Sequence, residues 1–117
     1  MEHRKFGYIR VSSKDQNEGR QLEAMRKMGI NERDIYLDKQ SGKNFERANY
    51  QLLKRIIRKG DILYIHSLDW FARNKEEILQ EWNDLTKYIE ADIVVLDMPL
   101  LDTTQYKDRR NSFSVFS

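Results

Sequence analysis

The sequence predicts an α/β fold in which helices cover both faces of a mostly parallel sheet of four to five strands. Two observations lead to this prediction. Short apolar runs alternate with segments whose apolar residues recur at helical spacing, as in repeated βαβ units with right-handed crossovers. In addition, ILYI at 62–65 and IVVL at 93–96 are continuously apolar, as strands are when both faces of their sheet are buried.

The individual elements follow from these patterns in chain order. The predicted strands occupy residues 6–11, 34–37, 62–66 and 93–96. Three helices lie between them, each with apolar residues mostly three or four positions apart: Leu22, Met25 and Met28 in the first, Leu52, Leu53, Ile56 and Ile57 in the second, and Ile78, Trp82, Leu85 and Ile89 in the third.

The helix ends carry their own signals. Gly29 and Gly60 follow the first two helices, where a residue with positive φ commonly ends a helix. The S-x-x-Q spacing at 13–16 and the N-x-x-E spacing at 74–77 match capping boxes that would open the first and third helices.

Composition limits the classes of protein and of site. A chain of 117 residues fits one domain, and with 34% charged residues and a mean hydropathy of -0.82 we expect a soluble protein. No cysteine is present, so disulfides, thiolate metal sites and cysteine nucleophiles are excluded. No apolar run resembles a signal peptide or a membrane span, so we expect a cytoplasmic location. Because 21 basic residues nearly balance 19 acidic ones, affinity for nucleic acid would need clustered charges.

Two segments interrupt the alternation. Residues 39–46 form a polar loop that contains a glycine, and residues 105–117 show no period and read as an atypical tail. The predicted domain therefore covers residues 1–104.

Polar side chains follow every predicted strand, at the carboxyl edge where open parallel sheets bind ligands. At or beyond the strand ends, they are Arg10, Ser12 and Ser13 for the first strand, Asp38, Ser41, Lys43 and Arg47 for the second, His66, Ser67, Asp69 and Arg73 for the third, and Asp97 for the fourth. Ser12 stands at a strand-to-helix junction, where backbone N–H groups can hold an anion, and Arg10 shares its strand face. Arginines can neutralise the charge that develops when a serine attacks phosphorus, without a metal. The residues at this carboxyl edge therefore predict that a serine side chain contacts a phosphate group.

Three rival sites fit less well. The segment 41–43, SGK, lacks the glycine frame and the following Ser/Thr of a Walker A loop. A two-metal nuclease needs clustered carboxylates, whereas Asp38, Asp69 and Asp97 follow separate strands. A phospho-acceptor receiver domain would have an acidic pair after the first strand, where this chain has RVSS at 10–13.

Four blocks carry a family resemblance: YIRVSS at 8–13, DKQSGKNFER at 38–47, GDILYIHSLDWFARN at 60–74 and VVLDMPLLDT at 94–103. In this order and spacing, the chain resembles the catalytic domain of serine site-specific recombinases, the resolvase/invertase group, over residues 6–104. The resemblance implies a flavodoxin-like (resolvase-like) three-layer fold. It also implies site-specific DNA recombination, in which strands are cut and rejoined through a 5′-phosphoserine intermediate.

The resemblance assigns roles residue by residue. Ser12 matches the nucleophile. The other catalytic positions are matched by Arg10, Arg47, Asp69 and Arg73, and supporting positions by Tyr8, Gln16 and Gln21. The expected partner is a DNA crossover site, bound by a dimer that pairs into a synaptic tetramer, with no cofactor and no metal.

Ordinary structural roles remain open for these residues individually. They are a helix cap for Ser12, Gln16 or Asp69, strand packing for Tyr8, a helix-surface position for Gln21, a solvated loop charge for Arg47 and a helix-entry charge for Arg73. A small-anion-binding domain of the same fold is the weakest alternative for the whole chain.

Two departures from the family pattern predict impaired activity. Trp70 stands where the LDR-x-x-R signature has an arginine, and one lost donor to a transition state costs on the order of 10²–10³-fold in rate. Residues 105–117 stand where the family has a dimerisation helix, followed by a helix-turn-helix DNA-binding domain, and we expect both to be absent from this chain. A non-catalytic remnant or interaction module that retains the recombinase fold is therefore the alternative function.

Overall fold

A computed structural model describes residues 3–12, 18–40, 47–67 and 75–104, with only the backbone described at Ser12, Glu18, Gln40 and Pro99. The strands are β1 (Lys5–Ser12), β2 (Ile35–Gln40), β3 (Ile62–Ile65) and β4 (Asp92–Val95). The helices are α1 (Glu18–Lys27), α2 (Ala48–Ile56) and α3 (Lys75–Asn83), and α3 continues into a π-helical turn, Asp84–Tyr88. Short 3₁₀ turns occupy Glu32–Asp34 and Pro99–Leu101. None of the helices in the described ranges combines the length and the hydrophobicity that a membrane-spanning helix requires.

The four strands form one sheet in the order β2-β1-β3-β4, and every neighbouring pair is parallel. The predicted α/β fold with a parallel sheet is confirmed. From β1 the chain moves to β2 on one side and then to β3 on the other, so the strand order reverses between β1 and β3. In such sheets a crevice opens at the carboxyl ends of the strands where the order reverses. Ser12 ends β1 at this point.

Alternation along the strands divides the core into two clusters, one on each face of the sheet. The α2/α3 face is filled by Phe6, Tyr8, Tyr50, Leu53, Ile57, Leu63, Ile65, Trp82, Leu85, Ala91, Ile93, Val95 and Leu101. The α1 face is filled by Ile9, Val11, Met25, Ile30, Tyr64 and Val94. Each of the two clusters thus includes residues of β1, β3 and β4, which lie together in the sheet.

Several predicted positions differ from the structure. Lys39 and Gln40, predicted as the start of the polar loop, extend β2, because both continue its pairing with β1, whereas His66 and Leu96 lie just beyond β3 and β4. Asp34 belongs to a 3₁₀ turn rather than to β2, and its carboxylate accepts a hydrogen bond from Arg4 at 2.7 Å. Met28 is exposed because α1 ends at Lys27 and the chain turns at Gly29, which has a φ of +82°. Leu52 is also exposed, since its neighbour Leu53 is the residue that fills the core.

Other predictions lie outside the described residues. These are the two capping boxes, which depend on residues 13–17 and 68–74, the loop residues 41–46 and the tail 105–117.

Candidate functional site

The structure describes part of the predicted site. Ser12 is the last residue of β1 and pairs in register with Gln40, and Arg10 pairs with Asp38. Described side chains are those of Tyr8, Arg10, Gln21 and Arg47. Ser13, Gln16, Ser41, Lys43, Asp69, Trp70 and Arg73 lie outside the described residues.

Asp38 joins the end of β2 to the start of α2. Its Oδ2 accepts hydrogen bonds from the Tyr8 hydroxyl at 2.9 Å and from the backbone N–H of Tyr50 at 3.0 Å. Its Oδ1 accepts the backbone N–H of Asn49 at 3.0 Å. A carboxylate at a helix N-terminus satisfies N–H groups that have no intrahelical partner and faces the positive end of the helix dipole. The buried Asp38 therefore fixes α2 and Tyr8 relative to each other.

Arg47 precedes α2, and its side chain is buried, with only 8% of it exposed. Its guanidinium carbon lies 4.1 Å from the centre of the Tyr50 ring and 5.6 Å from that of the Tyr8 ring. Its Nη1 donates to Glu77 Oε1 at 2.8 Å. The alternative of a solvated loop charge is therefore wrong: Arg47 is held between two aromatic rings and a carboxylate on α3.

Electrostatics keep the site's phenols neutral and its guanidinium charged. Burial raises the pKa of Tyr8, although the nearby Arg47 lowers it in part. Burial also raises the pKa of Tyr50, and its hydrogen bond to Glu81 raises it further. For Arg47, burial lowers the pKa, but contact with Tyr8 and the neighbouring Tyr50 and Glu77 outweigh that effect, so the pKa is raised. With its pKa raised, Tyr8 is thus uncharged at neutral pH and donates its hydroxyl proton to the hydrogen bond with Asp38.

The polar contacts continue away from Arg47 between α2 and α3. The Tyr50 hydroxyl donates to Glu81 Oε1 at 2.6 Å. Lys54 Nζ donates to Glu81 Oε1 and to Asp84 Oδ2, each at 2.9 Å. Burial lowers the pKa of Lys54, but hydrogen bonds to the two carboxylates raise it more, so the ammonium stays charged. We refer to Tyr8, Asp38, Arg47, Tyr50, Lys54, Glu77, Glu81 and Asp84 as the polar network.

Gln21 is 5% exposed, so its interpretation as a helix-surface residue is wrong. Among the described residues, its Oε1 has no hydrogen-bond partner, and the same is true of His66 Nδ1 and Ser67 Oγ. His66 and Ser67 directly follow β3, beside β1 in the sheet. Buried polar atoms without partners are rare in proteins, and a catalytic role is one of the explanations for them.

The described residues include no group of three His, Cys, Asp or Glu side chains that could hold a metal ion. The described residues do place the Arg47 guanidinium in a fixed orientation, over the sheet face that also carries Tyr8 and Asp38. A pre-oriented guanidinium can bind a phosphate or a carboxylate through two N–H groups.

The sequence did not predict the acidic part of the polar network. Glu77, Glu81 and Asp84 are spaced four and three residues apart, which places them on one side of a helix. Lys54 and Arg47 offer the complementary charges on and before α2. Acidic residues at this spacing on α3 and its continuation, together with basic residues on and before α2, could have predicted that ion pairs join the two helices.

Comparison with protein families matches residues 5–116 to the family described as Resolvase, N terminal domain. The chain is 37% identical over 87 residues to the Tn501 resolvase of Pseudomonas aeruginosa, and 38% identical over 87 residues to the Tn21 resolvase of Escherichia coli. Each alignment covers 74% of this chain and 44% of the resolvase, so the chain spans less than half the length of these relatives.

Among solved structures, the N-terminal catalytic domain of TP901-1 integrase matches with a TM-score of 0.67. The match covers 97% of this chain and 95% of that domain at 23% sequence identity. This likeness establishes a shared fold.

Proposed function

This chain belongs to the resolvase family, as a serine-recombinase N-terminal domain, and from that premise we propose that it cuts and rejoins DNA at specific sites through a phosphoserine intermediate. The family as a whole acts in site-specific recombination. The proposal for this chain includes a DNA crossover site as partner and assembly with further copies, as dimer and synaptic tetramer, in the cytoplasm.

One observation supports the proposal more than any other: the buried, oriented Arg47 on the sheet face of β1. A buried cation is costly to maintain unless anions pair with it, and such groups are concentrated where proteins bind or react. Arg47 contacts Tyr8, and Arg10 lies two residues beyond Tyr8 and two before Ser12 on the same strand. Two residues of a strand span about 7 Å, so Arg10 and Ser12 can reach one phosphate.

The chemistry proposed at this edge is a transesterification. Ser12 Oγ gives up its proton and attacks phosphorus, forming the serine–phosphate bond while the bond from phosphorus to the 3′-oxygen breaks. That oxygen takes a proton and leaves as a 3′-hydroxyl. Arg10, Arg47 and Arg73 neutralise the charge that develops on the phosphoryl oxygens. Rejoining is the same reaction reversed with a new 3′-hydroxyl.

The remaining residues have narrower proposed roles. Asp69 transfers a proton or orients an arginine. Tyr8, Gln16 and Gln21 support the site, and for Tyr8 the support is its hydrogen bond to Asp38. Trp70 has no charge-assisted donor for phosphate, so we expect this chain to cleave more slowly than a variant with arginine there.

The alternative proposal is a non-catalytic remnant or interaction module that retains the fold. Trp70 is the observation that favours it, because it replaces a phosphate-binding arginine of the family signature.

A covalent-adduct assay distinguishes the two proposals. Residues 1–104 are fused to the C-terminal part of the Tn501 resolvase and incubated with nicked DNA that carries that resolvase's crossover site. Recombinase activity predicts a protein–DNA adduct that maps to Ser12 and is absent in Ser12→Ala. An adduct found only with Trp70→Arg favours the remnant. Absence of the adduct in both fusions contradicts the recombinase proposal.

A further inference from the structure

We infer that Glu77 occupies the phosphate position of Arg47 when DNA is absent, and that the scissile phosphate displaces it. This inference rests on the proposed function, because it takes Arg47 to be a phosphate-binding residue. Glu77 would then regulate access to the site without touching the reacting atoms.

The contact itself has the geometry of an anion site. Arg47 Nη1 and Glu77 Oε1 are 2.8 Å apart, the length of a charge-assisted hydrogen bond. The Arg47 guanidinium lies against the Tyr50 ring, which fixes its plane. An anion that replaces the Glu77 carboxylate therefore meets a donor that is already oriented.

Exposure indicates which partner moves. Arg47 is 8% exposed, whereas Glu77 is 27% exposed, so the carboxylate lies on the solvent side of the pair. The more exposed partner, Glu77, is therefore the one that a ligand arriving from solvent can replace. The other carboxylate beside Tyr8 is less suited to exchange, because Asp38 is buried and accepts three hydrogen bonds.

Replacing the Glu77 carboxylate with a phosphate costs little free energy, because the charge next to Arg47 stays balanced. A phosphodiester carries one negative charge, as a carboxylate does, so Arg47 stays neutralised before and after the exchange. If Glu77 were absent, the buried guanidinium would lose a partner that offsets its desolvation. The same carboxylate therefore stabilises the free protein and competes with DNA.

The competition can be measured in the whole 117-residue chain with a short fluorescently labelled DNA duplex at low ionic strength, by fluorescence anisotropy. Glu77→Gln removes the competing charge, and we expect roughly tenfold tighter binding, equal to about 1.4 kcal/mol. Glu76→Gln is the matched control, because Glu76 is the exposed neighbour on the same turn and its loss changes net charge equally. For this control we expect less than about a twofold change.

Two further variants complete the design. Glu77→Asp keeps the net charge but shortens the side chain, so it should also tighten binding, by a smaller factor. It replaces Glu77→Gln if circular dichroism shows that the latter does not fold. In an Arg47→Ala background, Glu77→Gln should have no effect beyond that of Glu76→Gln, because the competition acts through Arg47.

The outcomes separate the inference from the proposed function. Tighter binding in Glu77→Gln that disappears without Arg47 supports the inference. Equal binding of Glu77→Gln and Glu76→Gln, with weaker binding in Arg47→Ala, overturns it and leaves the phosphate role of Arg47 standing. Weaker binding in Glu77→Gln also overturns it, since Glu77 would then position Arg47 for DNA. If Arg47→Ala leaves binding unchanged, both the inference and the proposed phosphate site fail.

Discussion

The two faces of this sheet are built from the same four strands but from different chemistry. On the α1 face, alternate residues of β1 are Gly7, Ile9 and Val11, and the buried cluster there is almost entirely apolar. The residues of β1 that alternate with these face α2 and α3. Of these, Phe6 packs in the apolar core, whereas Tyr8 also carries a hydroxyl that donates to Asp38. A single strand thus supports ordinary packing on one side and a buried ion-pair network on the other.

This difference between the two faces suggests that packing on the α1 face mainly provides stability, whereas the charged groups on the α2/α3 face mainly serve function. Apolar packing stabilises a fold without specifying chemistry, whereas buried charges stabilise little relative to an apolar core of the same shape. The α1 face is packed so closely that a Cβ added at Gly7 would lie 3.1 Å from the sulfur of Met25. On the other face, the polar network packs through its Tyr8 and Tyr50 rings but also holds charged side chains, and it begins where β2 and β1 approach their carboxyl ends.

The largest expected effect comes from removing the residue that joins β2 to α2. Asp38→Ala leaves the Tyr8 hydroxyl and two backbone N–H groups without their acceptor. We expect the free energy of unfolding to fall by about 4 kcal/mol, measured by urea denaturation. Asp97→Ala, at an exposed carboxylate after β4, should change it by less than about 0.5 kcal/mol. If both variants lose equally little, the polar network does not hold this face together.

A slightly smaller effect is expected on the opposite face. Ile9→Ala creates a cavity under α1 in a fully buried position and should reduce the free energy of unfolding by about 3 kcal/mol. Ile9→Val should cost about 1 kcal/mol in the same denaturation experiment. DNA binding per folded molecule should stay unchanged in both. A change in DNA affinity would show that the two faces are not separable.

Removing one hydroxyl tests a single bond of the polar network. Tyr8→Phe leaves Asp38 with one donor fewer, and we expect a loss of about 1.5 kcal/mol in the free energy of unfolding. Tyr88→Phe is the control, because Tyr88 is 81% exposed and its hydroxyl should contribute less than about 0.5 kcal/mol. Equal losses in the two variants would mean that the hydrogen bond to Asp38 adds no stability.

The smallest expected effect is on how the free energy of unfolding depends on pH. Burial raises the pKa of Tyr8 and Tyr50 above the ordinary value of about 10, so the folded chain keeps protons that the unfolded chain loses. Stability from these groups is therefore complete below pH 10 and falls above it, by up to about 1.4 kcal/mol per pH unit for each tyrosine. Unfolding measured between pH 9 and about pH 11 should depend less steeply on pH in Tyr8→Phe than in Tyr88→Phe. Equal slopes would contradict the burial of an uncharged Tyr8.

Sequence reasoning predicted the strands well, because apolar runs and helical periodicity respond to burial directly. It misplaced Asp34 in a strand because the partner of that residue, Arg4, is 30 positions away. It also did not decide whether Arg47 is a solvated charge or a site residue, because the partner of Arg47 is likewise distant in sequence. The carboxylate that pairs with Arg47 is Glu77, also 30 positions distant, and only the packing of α3 beside α2 brings them together.

Under the proposed function, the polar face performs the chemistry and the apolar face supports it. The most direct test compares adduct formation by Arg47→Ala and Ile9→Ala in the Trp70→Arg fusion, at a temperature where both variants are folded. We expect Arg47→Ala to slow formation of the Ser12–DNA adduct on the order of 10²–10³-fold, and Ile9→Ala to form it at the unchanged rate. Equal rates in the two variants, or an adduct that forms without regard to Arg47, would contradict this division of roles between the two faces.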